Sequence, residues 1–211
     1  MSEAAYMQGV SAFLDDLASS NPTPGGGAAA AVLGGIGCAL TSMVGNLTVG
    51  KKKYAEVSDE CASIVKRADE LRSVLVNSYK ADVEAFDKVS AAYQMAKGTD
   101  EEKAARTAAI QDSLKGATLV PMECAQAGLN ALDLAYQIGK IGNQNAVSDA
   151  GVSAMALHTC IMAATLNMRI NLSAIKDEDF VTQYRAVVEE IEGKANELVA
   201  AARKTVIDSI G

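Results

Sequence analysis

"NPTPGGGAAAAVLGGIGCALTSMVGNLTVGKKKY", residues Asn21 to Tyr54, sets a proline-glycine turn ahead of a long uncharged run and closes it with three lysines. The segment from Ala28 to Val49 is long enough to span a bilayer, and lysines on one flank suit a cytoplasmic end. Its content argues otherwise. The seven Leu, Ile and Val residues in that run contribute only roughly −2 to −4 kcal/mol on the insertion scale. Every fourth residue, Ala30, Gly34, Cys38, Ser42 and Asn46, is small or polar, and Ala31, Gly35 and Ala39 widen the stripe. Residues four apart share one helix face, and a face of small side chains lets another backbone approach closely. The segment is therefore expected to be a central helix, surrounded on all sides by others, rather than a membrane span.

Outward from this helix, the helical period of apolar residues continues in both directions. A short amphipathic helix is expected around Tyr6 to Leu17, before a loop whose prolines and glycines cannot continue it. A second long helix is expected from about Val57 to Ala96, with Cys61, Ile64, Ala68, Leu71, Leu75, Phe86, Val89 and Tyr93 at helical spacing. Thr99-Asp100-Glu101-Glu102 is a capping box that starts a third. Pro121 falls inside this helix and should kink it, and Gly139 and Gly142 should end it. A mostly small and apolar helix follows Gly142, and Asp177 to Ile210 supplies an amphipathic last one. The fold class is all-α: an elongated antiparallel helical bundle forming a single domain over residues 1–211. No strand is expected.

Composition narrows the function. Aromatic residues make up only 4% of a chain that is 49% hydrophobic, as close-packed helices allow. The formal charge of −7 and pI near 4.8 argue against a nucleic-acid partner. Cys38, Cys61, Cys124 and Cys160 are too dispersed for a C-x-x-C element, and the N-terminus carries no secretory leader. They read as buried free thiols of a cytoplasmic protein. One histidine and no cysteine pair argue against a conventional zinc site and leave carboxylate-bound magnesium as the alternative to no metal at all.

Polar residues stand where the pattern asks for apolar ones. Asp82 occupies an inward position between Ser78 and Phe86, so it is either paired in a salt bridge or part of a site. A comparable face runs through Asp149, Ser153, Ala156, Cys160, Ala163, Asn167 and Asn171. Ser148 and Asp149 lie near a helix start, where capping is the alternative to catalysis. Asn143 and Asn145 lie just upstream and also suit a turn. His158, among Met155, Ile161 and Met162, reads as a core or interface residue. Lys51, Lys52 and Lys53 complement a helix C-terminus or meet an anionic ligand. The Pro24-Gly25-Gly26-Gly27 turn presents backbone N–H groups at a helix start, without the spacing of a nucleotide loop.

Taken in order, "PTPGGG", "SMVGNLTVGKKKY", "DVEAF", "TDEEKAAR" and "GNQNAVSDAGV" resemble the cyclodeaminase/cyclohydrolase family of folate enzymes, over about Phe13 to Phe180. The resemblance implies a homodimeric helical bundle with tetrahydrofolate in a cleft near the subunit interface and no permanently bound cofactor. It implies hydrolysis of 5,10-methenyltetrahydrofolate to 10-formyltetrahydrofolate, with the formiminotetrahydrofolate cyclodeaminase reaction as the near alternative. A non-catalytic helical binding module suits the periodicity equally well. For the enzyme, Asp149 and Asp82 are the candidate catalytic carboxylates and Lys51 the candidate proton donor. Pro24 to Gly27 with Lys52 and Lys53 would hold the pterin or the glutamate tail, and Asn46, Asn143, Asn145 and Ser148 would orient the substrate.

Overall fold

The computed structural model describes residues 3–211, which form six α-helices and no strand. They are α1 (Glu3–Leu17), α2 (Gly26–Asn46), α3 (Ser58–Gln94), α4 (Asp100–Ile141), α5 (Val147–Leu172) and α6 (Glu178–Ile210), with single 3-10 turns at Lys52–Val57 and Gln144–Ala146. At 37 and 42 residues, α3 and α4 are about 55 and 63 Å long. Neighbours run in the order α3, α2, α5, α6, and α4 backs all four. The elongated bundle is as expected.

Local chemistry sets the helix ends. Thr99 accepts from the main-chain N–H of Glu102 at 3.2 Å, and the Glu102 carboxylate accepts from the N–H of Thr99 at 3.1 Å, completing the capping box of α4. Asp177 caps α6, its Oδ1 accepting from Phe180 N–H at 3.0 Å while Oδ2 holds Lys115 at 2.6 Å. Gly142, which follows α4, lies so close to Ile138 that a Cβ there would stand 2.5 Å from the Ile138 carbonyl. The helix after it starts at Val147, because a 3-10 turn intervenes.

The small stripe of α2 does what its spacing requires. Ala30, Gly34, Cys38 and Ser42 are buried. A Cβ on Gly34 would meet Cys160 Sγ at 2.8 Å, and one on Gly37 would meet Leu157 at 2.4 Å. Deep between α2 and α5, Ser153 donates to the Gly37 carbonyl at 2.7 Å and accepts from the Thr41 hydroxyl at 2.8 Å. Burial pushes the Cys38 thiol up to about 12, so it stays protonated and serves as a small apolar filler.

One expectation for α2 needs correction, because it is not surrounded on all sides. Ala29, Leu33, Ile36, Leu40, Met43 and Leu47 step by four and three along a face that stays half-buried or exposed, with Ile36 48% exposed. Its neighbour α5 likewise leaves Met155, Leu166 and Ile170 outside. Both helices are long and apolar enough to cross a membrane by length and composition, and both pack within the bundle with about half of their apolar windows buried. The inward stripe of α3 also departs from the expected residues: Leu75 and Ala92 are buried and Val89 packs on the core, whereas Phe86 and Tyr93 are exposed.

Candidate active site

At the start of α2 the chain passes through Pro24 and Gly25 with its backbone directly beneath a carboxylate of α3. A Cβ on Gly27 would stand 2.0 Å from Asp82 Oδ1 and 2.4 Å from Asp82 Cγ, so the carboxylate can hold this place only against a glycine. The Ala28 main-chain N–H is directed at the same carboxylate, yet desolvation outweighs it and the Asp82 carboxyl is held above its usual range. No ion pair involves Asp82 among the described residues, which removes the salt-bridge alternative. The carboxylate faces an open cleft of about 370 Å³ between Gly25–Gly27, Phe86 of α3, Ala117 of α4, and Asn167 and Asn171 of α5.

The two asparagines are placed by main-chain carbonyls. Because Pro121 has no N–H, the carbonyl of Ala117, four residues earlier, lacks its helical donor. Asn171 supplies one, donating through Nδ2 to Ala117 O at 2.8 Å. The helix therefore runs on through Pro121 to Ile141, with α5 repairing the gap. Asn167 donates through Nδ2 to Ala163 O at 2.9 Å. Each amide is thus pinned by its nitrogen beside the cleft.

The remaining candidates gather at the other end of α2. Asn143 donates through Nδ2 to Leu47 O at 3.0 Å, and its main-chain N–H donates to Thr48 Oγ1 at 2.8 Å. Its Oδ1 accepts from Asn145 N–H at 3.1 Å and from the Tyr54 hydroxyl at 3.4 Å. Asn143 is therefore a structural knot that ties the end of α2, the Lys51–Tyr54 segment and the start of α5 together. Lys51, Lys52 and Lys53 are exposed there, with Lys53 Nζ 5.3 Å from the centre of the Tyr54 ring. Asn46 and Asn145 are exposed too. Asp149 is half-exposed in the first turn of α5 and forms no ion pair among the described residues. Ser148 lines a separate, mainly apolar groove of about 250 Å³ with Arg203 of α6. His158 is half-buried and bonds Asn196 at 2.8 Å.

One chain thus holds its candidates in two clusters at opposite ends of α2, about 30 Å apart. Pro24 to Gly27 belong with Asp82; Asn46, Lys51 to Lys53, Asn143, Asn145 and Asp149 form the second cluster. Asn167, Asn171 and Phe86 are cleft residues that the helical pattern alone places among the packing positions. For Asn171 a signal is nonetheless present, since a proline inside a long helix leaves a carbonyl in need of a donor from elsewhere.

Fold and cleft together define an all-helical protein with a carboxylate-bearing cleft at one end of its bundle. The chain belongs to the formiminotransferase-cyclodeaminase family, whose sequence profile matches residues 9–190. It is 44% identical over 197 residues to a protein of Methylorubrum extorquens named methenyltetrahydrofolate cyclohydrolase, covering 93% of this chain and 95% of that one. It is 30% identical to the formimidoyltransferase-cyclodeaminase of Rattus norvegicus over 82% of this chain and 32% of that longer protein. Its structure resembles the crystal structure of formiminotetrahydrofolate cyclodeaminase from Thermotoga maritima, with a TM-score of 0.83, 30% identity, and coverage of 100% of this chain and 98% of that one.

Proposed function

We propose that the protein hydrolyses 5,10-methenyltetrahydrofolate to 10-formyltetrahydrofolate as a cytoplasmic enzyme. The observation that carries this reading is the 44% identity, nearly end to end, with the Methylorubrum cyclohydrolase. The substrate's one-carbon bridge is a delocalised cation and brings its own electrophile, so the chemistry calls for a base and an acid rather than a resident cofactor or metal. Water adds to the bridge carbon as a base takes one of its protons. The bond from that carbon to N5 then breaks, N5 gains a proton, and the hydroxyl proton leaves as the formyl C=O forms on N10, releasing one proton net. Asp149 is assigned the base and Lys51 the acid, both at the solvent-accessible end of α2. General acid–base steps of this kind contribute about 10²–10⁴-fold each.

The working form is a homodimer. The four-three spacing of Ala29, Leu33, Ile36, Leu40, Met43 and Leu47 on the open face of α2 is that of a helix-packing seam. Two-fold contacts between identical surfaces are the commonest assembly of soluble proteins. If α2 lies antiparallel on its counterpart, the Asp82 end of one protomer meets the lysine end of the other, and the two clusters close into one site. The cyclodeaminase reaction is the second reading, favoured by the near-complete structural overlap with the Thermotoga protein. It closes the formimino group onto N10 and releases ammonia. Loss of the methenyl chromophore faster than the spontaneous rate supports the first reading. Gain of that chromophore from formiminotetrahydrofolate, with no effect on the methenyl compound, would replace it by the second.

A further inference from the structure

Cys124 of α4 and Cys160 of α5 bring their sulfurs to 3.9 Å at the centre of the bundle. Both are buried free thiols. A disulfide needs about 2.05 Å between its sulfurs, so side-chain rotation and a small approach of the two helices close the gap. Cys38 lies in the same core cluster and Cys61 in another. What separates Cys124 from them is access. With Gly27, Ser78 and Asp82 it lines a cavity of about 10 Å³, room for about one water-sized molecule. Gly27 and Asp82 also line the open cleft of about 370 Å³, so the cavity stands behind the cleft with Cys124 on its wall.

The two thiols also differ chemically. Cys160 donates to the Cys124 sulfur, and this bond lowers the Cys124 thiol, whereas the same bond and burial push the Cys160 thiol up. Cys124 is thus the nucleophile of the pair and Cys160 the thiol that resolves it. An oxidant that reaches them must be small, because of the cavity, and uncharged, because the Asp82 carboxylate stands on its wall. Hydrogen peroxide meets both conditions. Glutathione disulfide, bulky and anionic, meets neither.

We propose that Cys124 and Cys160 are a peroxide-sensitive dithiol, reached from the cleft, whose oxidation ties α4 to α5 and slows turnover. The Cys124 sulfur attacks one peroxide oxygen, the O–O bond breaks, and the departing hydroxide takes the thiol proton, leaving a sulfenic acid and one water. The Cys160 sulfur then attacks the Cys124 sulfur. The S–O bond breaks, and the hydroxyl leaves with the Cys160 proton as a second water. Two thiols lose two electrons, and the peroxide is reduced to two waters. The crosslink pulls on α4 one turn beyond Pro121, next to the cleft that α4 and α5 share. A misplacement of about 1 Å there is enough to cost about 10²-fold in rate. The effect on turnover rests on the folate reading given above; the crosslink does not.

The test treats the purified protein with excess hydrogen peroxide or excess glutathione disulfide, removes the oxidant, alkylates the remaining thiols and maps them by peptide mass spectrometry. Turnover of methenyltetrahydrofolate is measured on the same samples. Peroxide should leave two of the four thiols free and join the Cys124 peptide to the Cys160 peptide, and turnover should fall by about 10-fold or more. Glutathione disulfide should change neither. Cys124→Ala should keep its turnover through the peroxide treatment. Cys160→Ala, which lacks the resolving thiol, should carry Cys124 on to the sulfinic acid without a crosslink. Four alkylated thiols after peroxide, a crosslink through Cys38 or Cys61, or equal reaction with glutathione disulfide overturns the proposal. So does a crosslinked protein with undiminished turnover. If the untreated protein turns over no folate, the folate reading itself falls, whereas the peptide map still decides for or against the dithiol.

Discussion

Asn171 donates to the carbonyl oxygen of Ala117 at 2.8 Å, and Ala117 stands four residues before Pro121. A proline in the middle of a 42-residue helix thus creates the acceptor that aims a side chain of another helix. The same two features hold α5 on α4 and set one wall of the cleft. A packing contact and a wall of the cleft share one hydrogen bond.

Pro121→Ala returns an N–H to position 121, and this N–H competes for the Ala117 carbonyl. The Asn171 amide is then free to turn, and one cleft acceptor loses its fixed direction. The expected result is a KM for the folate substrate raised about 3- to 10-fold, as for one weakened hydrogen bond, with kcat within about twofold and unchanged helicity by circular dichroism. An unchanged KM would show that Pro121 does not aim the amide.

Gly27→Ala places a Cβ 2.0 Å from Asp82 Oδ1. The carboxylate must leave, whereas the helix itself gains about 1 kcal/mol from the better helix former. Binding and stability should therefore separate: the dissociation constant for tetrahydrofolate rises by about 10-fold or more, while Tm changes little. A large loss of Tm with normal binding would contradict the placement of Asp82.

Asp82 carries a carboxyl held above its ordinary range by desolvation. Its protonated form is favoured in the folded state, so its contribution to stability is fully present below the unfolded value near 3.9 and is lost as pH rises through the folded value. Asp82→Asn removes that loss. Near neutral pH the variant should melt about 1–2 °C higher than wild type, and the gap should close as the pH falls to about 3.5. A constant gap across that range would separate the effect from ionisation.

Ile36 is exposed at the middle of the open α2 face, and Met43 is exposed further along the same seam. Ile36→Glu, and independently Met43→Glu, should convert a dimer to monomers in sedimentation velocity. Activity should fall with them, by about 10-fold or more in kcat/KM, because a charge buried at the centre of an interface is poorly tolerated. A fully active monomer would contradict the shared site.

Thr99→Ala serves as a contrast far from both clusters. Losing the N-cap hydroxyl of α4 costs about 1 kcal/mol, or about 2–4 °C in Tm for a chain of this size. Both kcat and KM should stay at the wild-type values in steady-state assays.

Helix number, order and most boundaries were legible in the sequence because they depend on local causes. The period of apolar residues gave α3 and α6, and the Thr99–Glu102 capping box gave the start of α4. The stripe Ala30, Gly34, Cys38 and Ser42 marked the buried side of α2. Asp82 stood out as a carboxylate in an inward position, and Gly25 to Gly27 as a turn that keeps side chains away.

What the sequence could not order was the company these residues keep. Asp82 and Asp149 look alike along the chain, yet α2 holds them at opposite ends, because Gly27 touches the first cluster and Leu47 is tied by Asn143 to the second. Asn143 reads as a candidate ligand group and is a knot, since its partners come from segments nearly a hundred residues away. Asn171 reads as a helix-face residue and becomes a cleft wall only when Ala117, on another helix, takes its amide nitrogen. Local pattern determined the helices of this protein; its site was decided by contacts between residues remote in sequence, because the aim of a side chain is set by the acceptor it meets after the chain has folded.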